Sequence, residues 1–348
     1  MTTAPISIKE DRKVSSRGVY VQSNEADGNR VFVFPRGEDG QLSGPVIVAS
    51  DGRGDGVPHL TSQGSVALTS DGRLLVTNAG SDEVSLLTVA DEPHAVAVVA
   101  SGGSAPKSVA ERDGLVYVLN TGDRSLVGFR MAEDGLVEVR GSRRELGSNA
   151  DPAQVGFSPD GTKVVVTDRG ANAILVYSVG ADGLLGEPRA TASAGPTPYG
   201  FTFARDETLV VTEAFGAAKG KAAASSYRLN GGAELITSSV GNGRSEICWA
   251  VASADGRHVF TTNFADGAVS RYSVSDAGEL VLDDAAAAIT FDGMPGLRDQ
   301  DLTGDGEFLY AIDADGGRIY GWRVADSALA PVGSWAGLPT TVAGLAAN

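Results

Sequence analysis

The chain has 348 residues, 46 of them Gly, with 42% apolar and 21% charged residues, which is the make-up of a turn-rich globular protein too long for one ordinary core. Acidic residues number 44 against 28 basic ones, and the net charge of −16 repels phosphate backbones and anionic lipid, arguing against nucleic acid and membrane surfaces as partners. The single cysteine, Cys248, excludes an intrachain disulfide and any multi-Cys metal site.

Residues 1–17 show neither an alternating pattern nor an apolar signal core, so a leader outside the fold and a cytoplasmic protein are expected. From residue 18 to 348 one unit repeats. Short Val-rich strands end on a polar residue at Asn24, Asn78, Asn120, Asp168, Glu213, Asn263 and Asp313, 42 to 54 residues apart. That period suits a four-stranded blade and is too long for a helical pair. An apolar strand and a turn precede most copies, as in PAQVGFSPDG at 152–161, where Asp-Gly supplies the positive φ of a two-residue hairpin. A polar turn, an alternating strand such as AILVYSV at 173–179 and a weaker fourth strand follow. Seven such copies, without a segment of helical period, predict an all-β fold: a seven-bladed β-propeller of four-stranded antiparallel blades. The first copy lacks its inner strand, while PTTVAGLAA at 339–347 is left over and matches PAQVGF. The C-terminal strand is therefore expected to complete the first blade and close the ring, giving a monomer.

In such a blade the start of the inner strand and the end of the second strand share one face. That face collects Lys107, Tyr199, Trp249, Arg298, Asp299 and Gln300 from the inner strands, and Asp168, Arg169, Glu213, Asn263 and Phe264 from the second strands. Short Asn and Asp side chains cap turns, which accounts for much of that ring. Glu is not a turn former, so Glu213 stands out as a candidate carboxylate base. Of three histidines only His59 falls near this face. Three nitrogen or sulfur ligands for zinc cannot be assembled, DLTGDGEF at 301–308 lacks EF-hand spacing, and neither GxSxG nor a phosphate loop is present. No metal and no cofactor is expected.

The stretch 152–177, with P-x-x-V-x-x-S-P-D-G followed by VVVTD-x-G-x-x-x-I-x-V-Y, resembles the seven-bladed lactonase family, which contains bacterial 6-phosphogluconolactonase and carboxymuconate-cyclising enzymes. PYGFTF at 198–203, VTEAFG at 211–216 and ICWAVASADGRHVFTTN at 247–263 are similar to its branch labelled 3-carboxymuconate cyclase, and the resemblance covers nearly the whole chain. It implies a lactonase or cyclase acting on a small lactone or unsaturated carboxylate at the channel mouth, the small molecule being its partner. Glu213 or His59 would serve as base and Arg169 or Arg298 as oxyanion donor. Lys107, Asp168, Tyr199, Trp249, Asn263, Phe264, Arg298, Asp299 and Gln300 would line the substrate site. ADPAQV at 150–155 replaces the family's P-H-x-H stretch, and Phe264 follows Asn263 where Arg is usual. A non-catalytic ligand-binding propeller, or one recruited as an isomerase or lyase, therefore stays open beside the hydrolase.

Overall fold

Strands such as Leu115–Asn120 and Leu209–Glu213 are buried at every position, because each face packs on an adjoining blade. Near-continuous runs of Val, Leu and Tyr, rather than strict alternation, are the consequence. The computed structural model describes residues 17–57, 60–90, 92–290, 295–325 and 328–348, and among these the strands form seven antiparallel sheets. Residues 1–16 of the expected leader, and His59, lie outside the described residues. Blades two to seven take their strands in chain order from the channel outward, starting at Val66–Leu68, Pro106–Arg112, Pro152–Phe157, Pro198–Phe203, Ile247–Ala252 and Leu297–Leu302.

Blade one is composite. Gly344–Ala347 is its inner strand and pairs antiparallel with Gly18–Gln22, Val19 lying opposite Ala347. Asn348 adds a latch, accepting from the Gly18 N–H at 2.7 Å through its side chain and donating its own N–H to the Gly18 carbonyl at 3.0 Å. The fold is thus a seven-bladed β-propeller closed by its C-terminal strand. Helix is confined, among the described residues, to three single 3-10 turns, and no helix is long and apolar enough to cross a membrane.

The core is seven wedges, one between each pair of neighbouring blades. Val165, Ile174 and Val176 of blade four meet Phe201, Leu209 and Val211 of blade five, and Val19 and Val21 of blade one meet Tyr310 and Ile312 of blade seven. Burying each such side chain contributes about 1.5–3 kcal/mol. The lower turns differ from expectation. Ser158 and Lys163, not the residues flanking Asp-Gly, close the hairpin at 2.9 Å, so the loop has four residues with Gly161 at φ +69°. The Ser158 hydroxyl donates to Asp160 at 2.5 Å and holds the wider turn.

One irregularity places the upper site. The inner strands of blades three to seven each shift register near their upper ends, between Pro106 and Ser108, Pro152 and Gln154, Pro198 and Phe201, Ile247 and Ala250, and Leu297 and Gln300. A bulge inserts one residue and re-aims side chains. Lys107, Ala153, Tyr199, Cys248 and Arg298 thereby form one row around the channel, with Ser108, Gln154, Gly200, Trp249 and Asp299 as the row beneath.

Candidate functional site at the upper channel mouth

The bulges turn an apolar group into the channel, separate from the seven wedges: Ala153, Tyr199, Cys248 and Trp249, with Phe264 packed against them. Above this group opens a cavity of about 430 Å³ lined by Tyr199, Cys248, Trp249, Phe264, Arg298 and Glu246, with Thr197, Ala214, Gly216 and Ala217 at its lip. Tyr199 and Trp249 meet edge to face, their ring centres 5.7 Å apart at 63°. Burial raises the Tyr199 hydroxyl well above its ordinary value of 10, with Cys248 adding to the rise, so the phenol is a neutral donor. That hydroxyl is buried and has no hydrogen-bond partner among the described residues. Burial likewise pushes the Cys248 thiol up to about 12, with Glu246 adding to the rise, which makes it an apolar wall rather than a nucleophile.

Three cations ring the mouth, each with an aspartate. Arg298 lies 3.2 Å from Asp315 with its guanidinium carbon 5.0 Å from the Phe264 ring centre. Arg169 lies 2.7 Å from Asp151 and 4.9 Å above the Tyr199 ring, and Lys107 lies 3.4 Å from Asp55. Desolvation by burial lowers the Arg298 pKa below its ordinary value. Thr197 and Glu246 hold left-handed backbone at φ +62° and +56°, at the position Gly296 occupies in blade seven. Such conformations cost side-chain-bearing residues about 1–2 kcal/mol, so the two are held there by the ladder on either side. One tie is the Phe264 N–H to the Glu246 carbonyl at 3.0 Å.

Tyr199, Trp249, Phe264 and Arg298 are thus brought together, with Arg169 against the far side of Tyr199. The structure does not bring Glu213 into this group. Glu213 is fully buried inside blade five, where its carboxylate accepts from the Gly195 N–H at 2.8 Å, the Ser225 hydroxyl at 2.5 Å and the Ser239 hydroxyl at 2.7 Å. Asn263 does the same work in blade six, bonding Ser270 and Asn242 at 2.9 and 2.8 Å. Asp168 caps its turn through the N–H groups of Asp151, Gly170 and Ala171. Asp299 and Gln300 face a lower chamber instead, two adjoining cavities of about 320 and 250 Å³ that share Gln63, Gln154, Gln300 and Asp301. Sequence reasoning named neither Cys248 nor Glu246 among the site residues. The signal was their place beside Tyr199 and Arg298 in the repeat, hidden by the bulge. No group of three or more His, Cys, Asp or Glu side chains among the described residues could hold a metal ion.

The chain is similar over its length to several solved propellers. A Lactobacillus plantarum protein shares 16% identity over 95% of this chain and 99% of its own, with a TM-score of 0.74. A Bacteroides fragilis protein assigned as a 6-phosphogluconolactonase shares 17% over 97% and 100% (TM-score 0.72), and the periplasmic gluconolactonase of Pseudomonas aeruginosa 16% over 95% and 98% (TM-score 0.72). No curated protein sequence matches the chain. At these identities the likenesses speak for the fold alone. The profile of the family described as lactonase, 7-bladed beta-propeller, matches residues 4–214, more than half of the chain, and the protein belongs to that family.

Proposed function

We propose that the protein hydrolyses small lactones of largely apolar character in the upper cavity, with the substrate carbonyl held by the Tyr199 hydroxyl. The observation that carries this reading is that hydroxyl: a buried, neutral donor without a partner among the described residues, on a tyrosine that lines an apolar cavity. A buried polar group left unmatched is costly, and a carbonyl or oxyanion there relieves it. Membership of the lactonase family supports ring opening as the chemistry. The apolar lining, together with cations already shared with aspartates, favours neutral or singly charged substrates over a doubly charged sugar phosphate.

Glu246, on the same wall, takes a proton from water as the water oxygen bonds to the lactone carbonyl carbon. The carbonyl oxygen gains the negative charge and is held by the Tyr199 O–H and the Arg298 guanidinium. As the carbonyl re-forms, the ring C–O bond breaks and Glu246 returns its proton to the leaving alkoxide. The carboxylic acid so formed ionises, and one proton per turnover reaches solvent. Glu213 in this reading is a clasp of blade five.

Acid release in weak buffer, over a panel from phosphogluconolactone to muconolactone and apolar lactones, tests the reading. Turnover of apolar lactones that falls with Tyr199→Phe is the expected result. A preference for the phosphorylated lactone, or turnover indifferent to Tyr199→Phe, would overturn it.

A further inference from the structure

Among the described residues, a segment of blade two crosses the channel to bond blade six. In blades three to seven the inner strand starts three residues above the position that Val66, opposite Val76, holds in blade two. In blade two those three residues, 63–65, are not part of the strand: Ser65 still accepts from the Thr77 N–H of its own blade and Gly64 from the Val109 N–H of blade three, while Gln63 and Ser62 reach across to the far blades. Gln63 pairs with Ala250 of blade six as one rung of a strand would: its side-chain Nε2 donates to the Ala250 carbonyl at 2.8 Å and its Oε1 accepts from the Ala250 N–H at 3.1 Å. Its own N–H donates to the Ala153 carbonyl of blade four at 3.1 Å, and its carbonyl accepts from the Ser108 hydroxyl of blade three at 2.6 Å. The Ser62 carbonyl accepts from the Trp249 indole N–H at 3.0 Å. Blade five leaves room for the crossing, because a Cβ on Gly200 would stand 2.2 Å from the Gln63 Oε1.

Trp249 lines the upper cavity, and Gln63 lines both lower ones. We infer that Gln63 is a positioning residue that floors the substrate cavity, anchoring through Ala250 the segment whose Ser62 carbonyl holds the Trp249 indole, and limiting how deep a substrate can reach. This rests on the upper cavity being the lactone site. A five-membered lactone with a short tail fits above the floor, whereas a long tail must enter the lower chamber. Gln63 therefore acts on selectivity by tail length and on KM more than on kcat, since it touches no reacting atom.

The test uses the full chain with Gln63→Ala and Gln63→Met, the latter keeping length and volume without the amide. Turnover is compared on a short-tailed and a long-tailed lactone of the same ring. Acrylamide quenching of Trp249 emission is read in parallel in a Trp322→Phe, Trp335→Phe background. Gln63→Ala is expected to shift the ratio of kcat/KM toward the long tail by roughly tenfold through KM, the scale at which a few methylenes discriminate. Quenching should rise in the same variant, and Gln63→Met, which fills the space but cannot pair with Ala250, should restore the tail selectivity while quenching stays raised. If quenching rises although the parent turns over no lactone, the floor stands and the proposed activity falls. A folded Gln63→Ala with unchanged quenching and unchanged tail selectivity would overturn the inference.

Discussion

Arg298 lies over Phe264 with its guanidinium carbon 5.0 Å from the ring centre, while Asp315 holds the same group at 3.2 Å. Contact with the ring and ion pair together fix the one guanidinium on the cavity wall among the described residues. Lysine offers neither the planar fork nor the stacking. Arg298→Lys should therefore lower kcat/KM by roughly 10- to 100-fold, the weight of a charge-assisted bond. Asp315→Asn should strengthen binding of the hydroxy-acid product, because the cation then answers to one carboxylate fewer. Calorimetric titration with that product, against both variants, checks the pair.

Tyr199→Phe separates catalysis from stability. The hydroxyl it removes bonds to nothing among the described residues, so the folded protein loses no hydrogen bond. The melting temperature should hold or rise slightly. Turnover should fall by roughly 100-fold, as when one oxyanion donor is lost. A melting temperature lowered along with activity would mean that the hydroxyl holds up the wall instead.

Glu213→Gln should show the opposite split. Three donors converge on this carboxylate, and the variant turns an amide NH₂ toward one of them. A loss of about 2 kcal/mol in urea unfolding is expected, with kcat and KM little changed. Collapse of turnover at parental stability would restore a catalytic role to Glu213.

The closing strand makes stability depend on pH. Asp301 accepts the Ala347 N–H at 3.0 Å and Asp299 accepts the Leu345 N–H at 3.4 Å. Burial raises both carboxyls, Asp301 from 3.8 to about 7 and Asp299 well above 3.8, with the charge of Asp301 adding to the rise of Asp299. Between those two values the folded chain keeps a proton that the unfolded chain has released. Stability therefore falls as pH rises through that window. Asp71 and Asp160 act in the other sense. Arg73 is the main cause for Asp71, and bonds from Ser158 and Thr162 outweigh burial for Asp160, so both sit at about 2 and their stabilisation is lost as pH falls below 3.8. Melting temperatures from pH 3 to 9 should peak near the acid end, and Asp301→Asn should flatten the neutral limb. An unchanged limb in that variant would remove Asp301 as its source.

Blade count, blade period and ring closure were legible because each depends on residues near in sequence or on one unmatched apolar segment, 339–347. The site was legible in part. Tyr199, Trp249, Phe264 and Arg298 converge as the shared face of inner and second strands requires. Cys248 was not named among the site residues, because spacing carries no mark of the bulge that puts it beside Tyr199. Glu213 looked anomalous among Asn and Asp since its partners, Ser225 and Ser239, sit on later strands that local pattern cannot pair with it. Gln63 carried no signal at all, for its partner Ala250 is four blades away.

The ring closure also orders events in time. Blades two to seven each form from contiguous chain, whereas blade one joins Val19 to Ala347 and cannot assemble before the ribosome has delivered that residue. During synthesis Gly18–Gln22 waits with an unpaired edge, open to any strand that offers itself. Slow, late-committing folding follows from so distant a pairing, and a chaperone would have most to shield at the first blade made, not the last.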